Sequence, residues 1–583
     1  MARSHTTADF PSHDGTRLYY RHWPAASAPR GAIVLMHRGH EHSERMAHLV
    51  DELDLPDFAV FAYDARGHGR SPGARGDGQS VGTLVRDLDS FIHHLASAHA
   101  IDGNDVVVVA QSVGAVIAAT WAHDYAPKLR GLVLASPAFK VKLYVPFARS
   151  GLALMRRLRG SFFVTSYVKA KFLTHDEARI ASYEADPLIT RPISVDVLLG
   201  LYEAAERVVA DAAAITTPVQ LLISGSDWVV HHRPQHDFFA RLGSSRKEKQ
   251  VFAGFFHDTL GERDRAPAVA AARRFIVGLF DAPPAAVDLR AADQHGFTAE
   301  ESAVLAKPLP WHTPRGLYWA ITRASLKLGG LLSRGIALGH TTGFDSGSTL
   351  DYVYRNEARG LPVLGTLVDR IYLESIGWRG IRQRKLHVEA LLREAMAQVR
   401  ARKLPVRLMD IAAGHGRYVL DAVLACESRP DSILLRDYSE INVRDGRALI
   451  AQRGLGAIAR FEQADAFDRD DLAKVEPQPT VAVVSGLYEL FGDNGMVSRS
   501  LAGIAAVMPE GGCLVYTGQP WHPQLELIAR ALTSHRQGQA WVMRRRSQAE
   551  MDQLVEAAGF RKLEQRIDEW GIFTVSLAVR IGP

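Results

Sequence analysis

The sequence predicts an α/β protein built as two successive folds, each a largely parallel sheet covered by helices. Three observations carry this expectation. Short apolar strand-like runs alternate with amphipathic segments from Gly31 to about Phe280, and a second alternating series begins at Val406. Between them lies the proline-rich, apolar-poor stretch DAPPAAVD, Asp281 to Asp288, which reads as a boundary. A chain of 583 residues is also too long for one hydrophobic core.

In the first half the strands are GAIVLMH, FAVFAYD, DVVVVAQS, GLVLASP and PVQLLISGSD. Each is a short apolar run closed by turn formers, the pattern of strands in a parallel sheet covered by helices. From about residue 138 to 217 the alternation stops, and basic helical sequence such as ARSGLALMRRLRG takes its place, as an inserted cap would. The first domain is therefore expected over residues 1–282. Residues 283–400 read as a linker and helical extension, with LYWAITRASLKLGGLLSRGIALG and LHVEALLREAMAQVRARKLP as helices. The second domain is expected over residues 401–583, with strands in VRLMD, SILLRDYS, TVAVVSGLYEL and GGCLVYTGQP.

Composition is that of a globular protein, 47% hydrophobic and 23% charged, with no internal repeat and no low-complexity tract. The opening MARSHTTADF lacks a signal peptide's apolar core, and no run reaches the 18 or so uncharged apolar residues of a membrane span, so a cytoplasmic protein is expected. Two cysteines, Cys426 and Cys513, exclude a disulfide framework and a cysteine zinc site. The net charge of +5 is unevenly spread: Tyr125 to His175 and Ser302 to Phe344 contain no acidic residue. In the first block Arg156, Arg157 and Arg159 interleave with leucines, a composition that suits peripheral contact with an anionic membrane surface or, more plainly, a solvated charged face. No recognition motif accompanies the charge, so nucleic acid is not expected as a partner, and oligomeric state is left open.

In VVVVAQSVGAVIAA, Ser112 sits between a strand and a helix, and a turn that sharp needs small residues two before and two after the serine. Those positions hold Ala110 and Gly114. A nucleophilic serine needs a histidine to take its proton and a carboxylate to orient the ring, in chain order serine, acid, histidine for this kind of sheet. Asp227 follows one strand, His257 lies in the loop after the next, and the order is met.

The first half resembles the monoglyceride lipase and lysophospholipase branch of the α/β-hydrolases. The family's HGxxEHSxR loop stands here as HRGHEHSER, His37 to Arg45, and its DxRGHGxSxGxRG segment as DARGHGRSPGARG, Asp64 to Gly76. The resemblance implies an α/β-hydrolase fold with a helical cap, a triad of Ser112, Asp227 and His257, and an oxyanion hole from the backbone amides of Gly39 and Val113. Arg38 stands where the family has glycine, and either crowds the oxyanion loop or offers a cation to the substrate. Ala110 replaces the elbow's first glycine. His37, His40 and His42 belong to that loop, and no metal is expected.

In VRLMDIAAGHGRYVLDAVL a strand ends in Asp410, small residues follow at Ala412, Gly414 and Gly416, and a helix begins. Small residues there let a ligand approach the backbone and the helix N-terminus. A pyrophosphate would be ill placed beside the strand-end carboxylate, whereas a cationic sulfonium cofactor would be tolerated. Asp437, 21 residues past Gly416, can accept from a ribose diol. This half resembles the class I S-adenosylmethionine-dependent methyltransferases, with their Rossmann-like fold. The resemblance implies S-adenosyl-L-methionine as cofactor, Asp465 on its adenine side, Tyr488 and Glu489 beside the methyl acceptor, and FRKLEQRIDEWGIFTVSLAVR as the closing antiparallel strand pair. Residues 343–385, polar and aromatic-rich, are expected to cover the pocket.

The expected protein is bifunctional: a serine hydrolase for lysophospholipid or monoacylglycerol-like esters fused to an S-adenosylmethionine-dependent methyltransferase. A tailoring enzyme acting on a small ester or thioester, and a hydrolase fold that binds lipid without turnover, are the alternatives.

Overall fold

A computed structural model describes residues 3–143, 145, 147–536 and 538–582. It divides into two compact units, Met1–Val287 and Asp288–Pro583. The boundary thus lies five residues beyond the expected 282. Residues 288–400, read as linker and extension, belong to the second unit, because the long helix Ile376–Ala401 packs Val388, Leu391, Leu392, Ala395, Met396 and Val399 into that unit's core.

In the first unit the strands are β1 (Thr6–Pro11), β2 (Arg17–Trp23), β3 (Gly31–Met36), β4 (Phe58–Tyr63), β5 (Val106–Gln111) and β6 (Gly131–Ala135), then the short cap pair β7 (Phe163–Thr165) and β8 (Pro192–Ser194), then β9 (Val219–Ser224) and β10 (Lys247–Phe252). Eight form one sheet in the order β1-β2-β4-β3-β5-β6-β9-β10, antiparallel at β1/β2 and β2/β4 and parallel elsewhere. Every residue of β3, β4, β5, β6 and β9 is buried, as their unbroken apolar runs require. The hairpin β1–β2 was not legible as strands, and of the edge strand β10 only its place ahead of His257 was. The sequence of β10, KEKQVF, is mostly exposed, and charge on an edge discourages pairing with another chain while hiding the strand's periodicity. Between β6 and β9 the cap carries the helices Ala148–Arg159, Glu177–Ala185 and Val195–Ala210.

In the second unit the strands are β11 (Arg407–Asp410), β12 (Ser432–Asp437), β13 (Ala459–Gln463), β14 (Val481–Val484), β15 (Cys513–Gly518), β16 (Phe560–Ile567) and β17 (Thr574–Arg580). Their order is β13-β12-β11-β14-β15-β17-β16, parallel except that β17 runs antiparallel to both β15 and β16. The strand order reverses between β11 and β14, so the carboxyl ends of β11, β12 and β14 surround a crevice, where ligands of open α/β sheets bind. The helix Gly347–Arg355 starts beside this end, and the helices Pro314–Leu332 and Leu364–Leu373 share with it the cavity that Gly486 and Gln519 line. Among the described residues no helix is long and apolar enough to cross a membrane.

Candidate active sites

Strand β5 delivers Ser112 at φ 56°, ψ −114°, and the helix Val113–Tyr125 starts at the next residue. Positive φ at a non-glycine residue is strained, and here it lifts the hydroxyl off the sheet. A Cβ on Gly114 would come within 2.6 Å of the His37 carbonyl oxygen, so the second glycine of the elbow is sterically required. The Ala110 methyl is fully buried, and the turn forms with it in place.

His257 Nε2 lies 2.7 Å from Ser112 Oγ, and His257 Nδ1 lies 2.8 Å from Asp227 Oδ2. Asp227 Oδ1 accepts the amides of Val229 (2.7 Å) and Val230 (3.0 Å). Burial pushes the Asp227 carboxyl up, but the His257 ring and those two amides outweigh it and hold the group below its ordinary value. A carboxylate that stays ionised fixes the imidazole with its free Nε2 toward serine. Gly39 and Val113 approach closely, a Cβ on Gly39 falling 3.1 Å from Val113 Cγ2, and among the described residues neither amide has a hydrogen-bond acceptor.

Arg38 is buried and tied down. It donates to Glu41 from Nε (3.0 Å) and Nη2 (2.5 Å) and lies 3.4 Å from Asp258. The loop is therefore not crowded by a free side chain, and the cation is matched by two carboxylates rather than offered uncompensated. Asp258 in turn accepts from Gln111 Nε2 (2.7 Å) and Arg179 Nε (3.0 Å), which joins the nucleophile strand, the histidine loop and the cap. Sequence reasoning missed this network; the only signal was an arginine where a glycine was expected. The loop histidines are structural: His37 Nε2 accepts the Ala65 amide at 3.0 Å, and His42 Nε2 pairs with Asp186 at 2.9 Å. His40 is held neutral by burial, its pKa lowered to about 4.

The triad opens into a cavity of about 470 Å³ with overwhelmingly apolar walls. The sheet side contributes Met36, Tyr63 and Ile117, and the cap contributes Leu152, Val197 and Leu201. An activated serine under an apolar roof is suited to acyl transfer from a hydrophobic ester.

The second site forms at the end of β11. Asp410 Oδ1 accepts the Ala412 amide at 3.1 Å, and the buried carboxyl lies beside the Tyr418 hydroxyl. Burial, with Asp437 nearby, pushes the Asp410 carboxyl up to about 7. Gly414 and Gly416 take φ 58° and 75°, and a Cβ on Gly416 would fall 2.4 Å from Leu435 Cδ1. Asp437 accepts from the amides of Gly414 and Ser439 (both 2.9 Å) and from Asn442 Nδ2 (3.0 Å), and burial raises its pKa. Asp465 lies exposed just past β13, accepting the Phe467 amide at 2.9 Å. The structure thus gathers Asp410, Ala412, Gly414, Gly416 and Asp437 around one turn.

Residues 345–351 lie over that turn: Gly347 Cα is 3.6 Å from a Cβ built on Gly414, and Asp351 pairs with Arg417 at 2.5 Å and His415 at 3.6 Å. Tyr488 does not reach the expected acceptor side. It is buried in the apolar core, and its hydroxyl donates to Ser500 at 2.9 Å, so packing accounts for it. Glu489, the next residue, turns the other way and lines a second, mainly apolar cavity of about 370 Å³.

Residues 272–580 match the family described as "Putative methyltransferase", and residues 27–264 match the one described as "Serine aminopeptidase, S33". The "Uncharacterized protein YnbC" of Escherichia coli is 57% identical over 98% of both chains. The monoacylglycerol lipase of Mycolicibacterium smegmatis is 24% identical over 44% of this chain and 91% of its own. Among solved structures, the monoacylglycerol lipase of Paleococcus ferrophilus covers 45% of this chain and 99% of its own at 26% identity and a TM-score of 0.41. The chain therefore belongs to the methyltransferase family and carries, ahead of its methyltransferase domain, an α/β-hydrolase domain of the serine hydrolase type related to the monoglyceride lipases.

Proposed function

We propose that the first unit hydrolyses single-chain lipid esters of the monoacylglycerol or lysophospholipid kind, and that the second transfers a methyl group from S-adenosyl-L-methionine. One observation carries the first half of this reading: the Ser112, His257 and Asp227 relay stands at the floor of an apolar cavity roofed by the cap. His257 takes the proton of Ser112 as Oγ attacks the ester carbonyl. The amides of Gly39 and Val113 receive the oxyanion, and His257 returns the proton to the leaving alcohol. Water then releases the acyl group by the same path in reverse. Fluorophosphonate labelling at Ser112, with rates that rise with acyl length to a cut-off, is the expected result. Equal rates on acetyl and long-chain esters would overturn the lipid assignment.

The second site fits a sulfonium nucleoside cofactor. The buried Asp410 carboxyl suits a nearby cation, Asp437 suits a ribose diol, Asp465 past the end of β13 would face the adenine, and Ala412, Gly414 and Gly416 leave the backbone open. Bound there, the cofactor supplies an electrophilic methyl group. Calorimetry with S-adenosylhomocysteine against a nicotinamide dinucleotide tests this, and binding of the dinucleotide alone would overturn it.

The reading extends to peripheral contact with an anionic membrane. On the cap helix Ala148–Arg159, Leu154 and Leu158 are exposed together with Arg156, Arg157 and Arg159, and Phe147 just before it is 87% exposed.

A further inference from the structure

The cavity of the second unit has mainly apolar walls with polar groups gathered at one end; Asp345, which also lines it, is already satisfied by the Ser534 hydroxyl and the His535 amide, both at 2.6 Å. At its closed end, beside Gly486 and Gln519 at the carboxyl ends of β14 and β15, three buried polar atoms have no hydrogen-bond partner: Glu489 Oε2, Arg384 Nε and Gln519 Nε2. Glu489 is fixed by Thr517, whose hydroxyl donates to Oε1 at 2.6 Å, and Arg384 Nη1 lies 3.6 Å from the same oxygen. His522 borders the same space. Burial lowers its pKa to about 4, and its Nδ1 accepts the Gln524 amide at 3.0 Å, so the ring is neutral with its proton on Nε2. The end wall therefore pairs one cation with one anion and offers both donors and a free acceptor. A charged head would meet its like at close range, whereas a neutral hydroxylated head satisfies the orphaned atoms.

The other end opens to the surface, since Ile371 lines the cavity and is yet 66% exposed. The surrounding helices Pro314–Leu332 and Leu364–Leu373 pack on each other and leave Leu317, Tyr318, Leu328, Leu364 and Leu367 exposed among Arg315, Arg323, Lys327 and Arg370. An apolar collar studded with positive charge matches an anionic bilayer rather than water. At about 370 Å³ the cavity is at the small end of the roughly 300–1,000 Å³ range of ligand sites, which leaves no space for two acyl chains.

We propose that this cavity takes a single-chain lipid with an uncharged hydroxylated head, drawn from the membrane past Ile371, and that the head hydroxyl is the methyl acceptor. The acceptor part rests on the reading of the second unit as a methyltransferase. The acceptor O–H gives its proton to Glu489 Oε2, and the oxygen lone pair forms the bond to the methyl carbon of the sulfonium donor. The C–S bond breaks with its electron pair on sulfur, leaving a neutral thioether.

A photoaffinity probe tests this: 1-O-hexadecylglycerol with a mid-chain diazirine, whose ether link the first unit cannot hydrolyse, applied to the full chain with S-adenosylhomocysteine present. Labelled peptides should fall within residues 314–332 and 364–378. Ile371→Glu at the exposed mouth and Ile528→Trp within the cavity should each reduce that labelling about tenfold. Labelling in the cap and S-adenosylhomocysteine affinity should remain unchanged. Glu489→Gln should keep the labelling yet lower methyl transfer to the probe on the order of 10²- to 10⁴-fold. Labelling confined to the first unit, or indifferent to both cavity variants, would overturn the lipid site. Undiminished transfer in Glu489→Gln would overturn the role of that carboxylate. Absent S-adenosylhomocysteine binding with labelling intact would overturn the acceptor role and leave the lipid site standing.

Discussion

Arg38 shows how one side chain takes its meaning from its partners. Its guanidinium is buried between Glu41 and Asp258, and Asp258 also holds Gln111 beside the nucleophile. Arg38→Ala would leave two carboxylates buried against fewer cations, and breaking such a pair costs about 3–5 kcal/mol. Denaturant titration should show that loss in the first unit; a change under about 1 kcal/mol would mean that water replaces the arginine. Asp410 makes a different prediction. Its folded pKa is raised to about 7 from 3.8, so between those values the folded state holds a proton that the unfolded chain has released. Its contribution to stability therefore falls as pH rises through that window and is lowest above it. A cationic ligand favours the ionised form, so affinity for S-adenosylmethionine relative to S-adenosylhomocysteine should rise from pH 6 to pH 8. Calorimetry at both values, with Asp410→Asn flattening the difference, checks the sign.

The cap helix Ala148–Arg159 has no buried residue among its twelve. A helix of that kind contributes little to a core: Leu152 lines the cavity, while Leu154 and Leu158 are exposed together with the arginines. Replacing Arg156, Arg157 and Arg159 by glutamate should weaken binding to vesicles containing anionic lipid and abolish its sensitivity to salt, with the circular dichroism spectrum unchanged. Flotation on anionic and on neutral vesicles gives the measurement. Equal binding to both by the unaltered chain would show that apolar contact alone drives it.

The two units bury separate apolar cores, one on the sheet that carries Ser112 and the others around the sheet that carries Asp410 and Asp437. Chemistry in one should thus survive damage to the other. Ser112→Ala should lower ester hydrolysis on the order of 10³-fold or more while leaving S-adenosylhomocysteine affinity intact. Asp437→Ala should weaken S-adenosylmethionine roughly ten- to hundredfold, the about 1.5–3 kcal/mol of hydrogen bonds to a charged acceptor, with hydrolysis unchanged. Parallel hydrolysis assays and calorimetry on both variants would expose any coupling.

The sequence by itself determined the two sheets and the residues at their strand ends. Runs such as VVVVAQS and GLVLASP read as buried strands, and Ser112, Asp227, Asp410 and Asp437 each stand at the end of such a run, where local pattern fixes position; His257 was placed by the chain order of the three groups. The edge strands β10 and β13 carry no strand pattern of their own because exposure removes the need for one. Only the tertiary structure decided that Tyr488 packs inward while Glu489 faces a cavity, since adjacent residues of the short helical turn Tyr488–Leu490 part ways according to what surrounds them. It alone brought Arg384, from a helix more than a hundred residues earlier, against Glu489 and beside Gln519 and His522. Contacts between residues so distant in sequence leave no local pattern, because they are set by which faces of the fold must bury against each other.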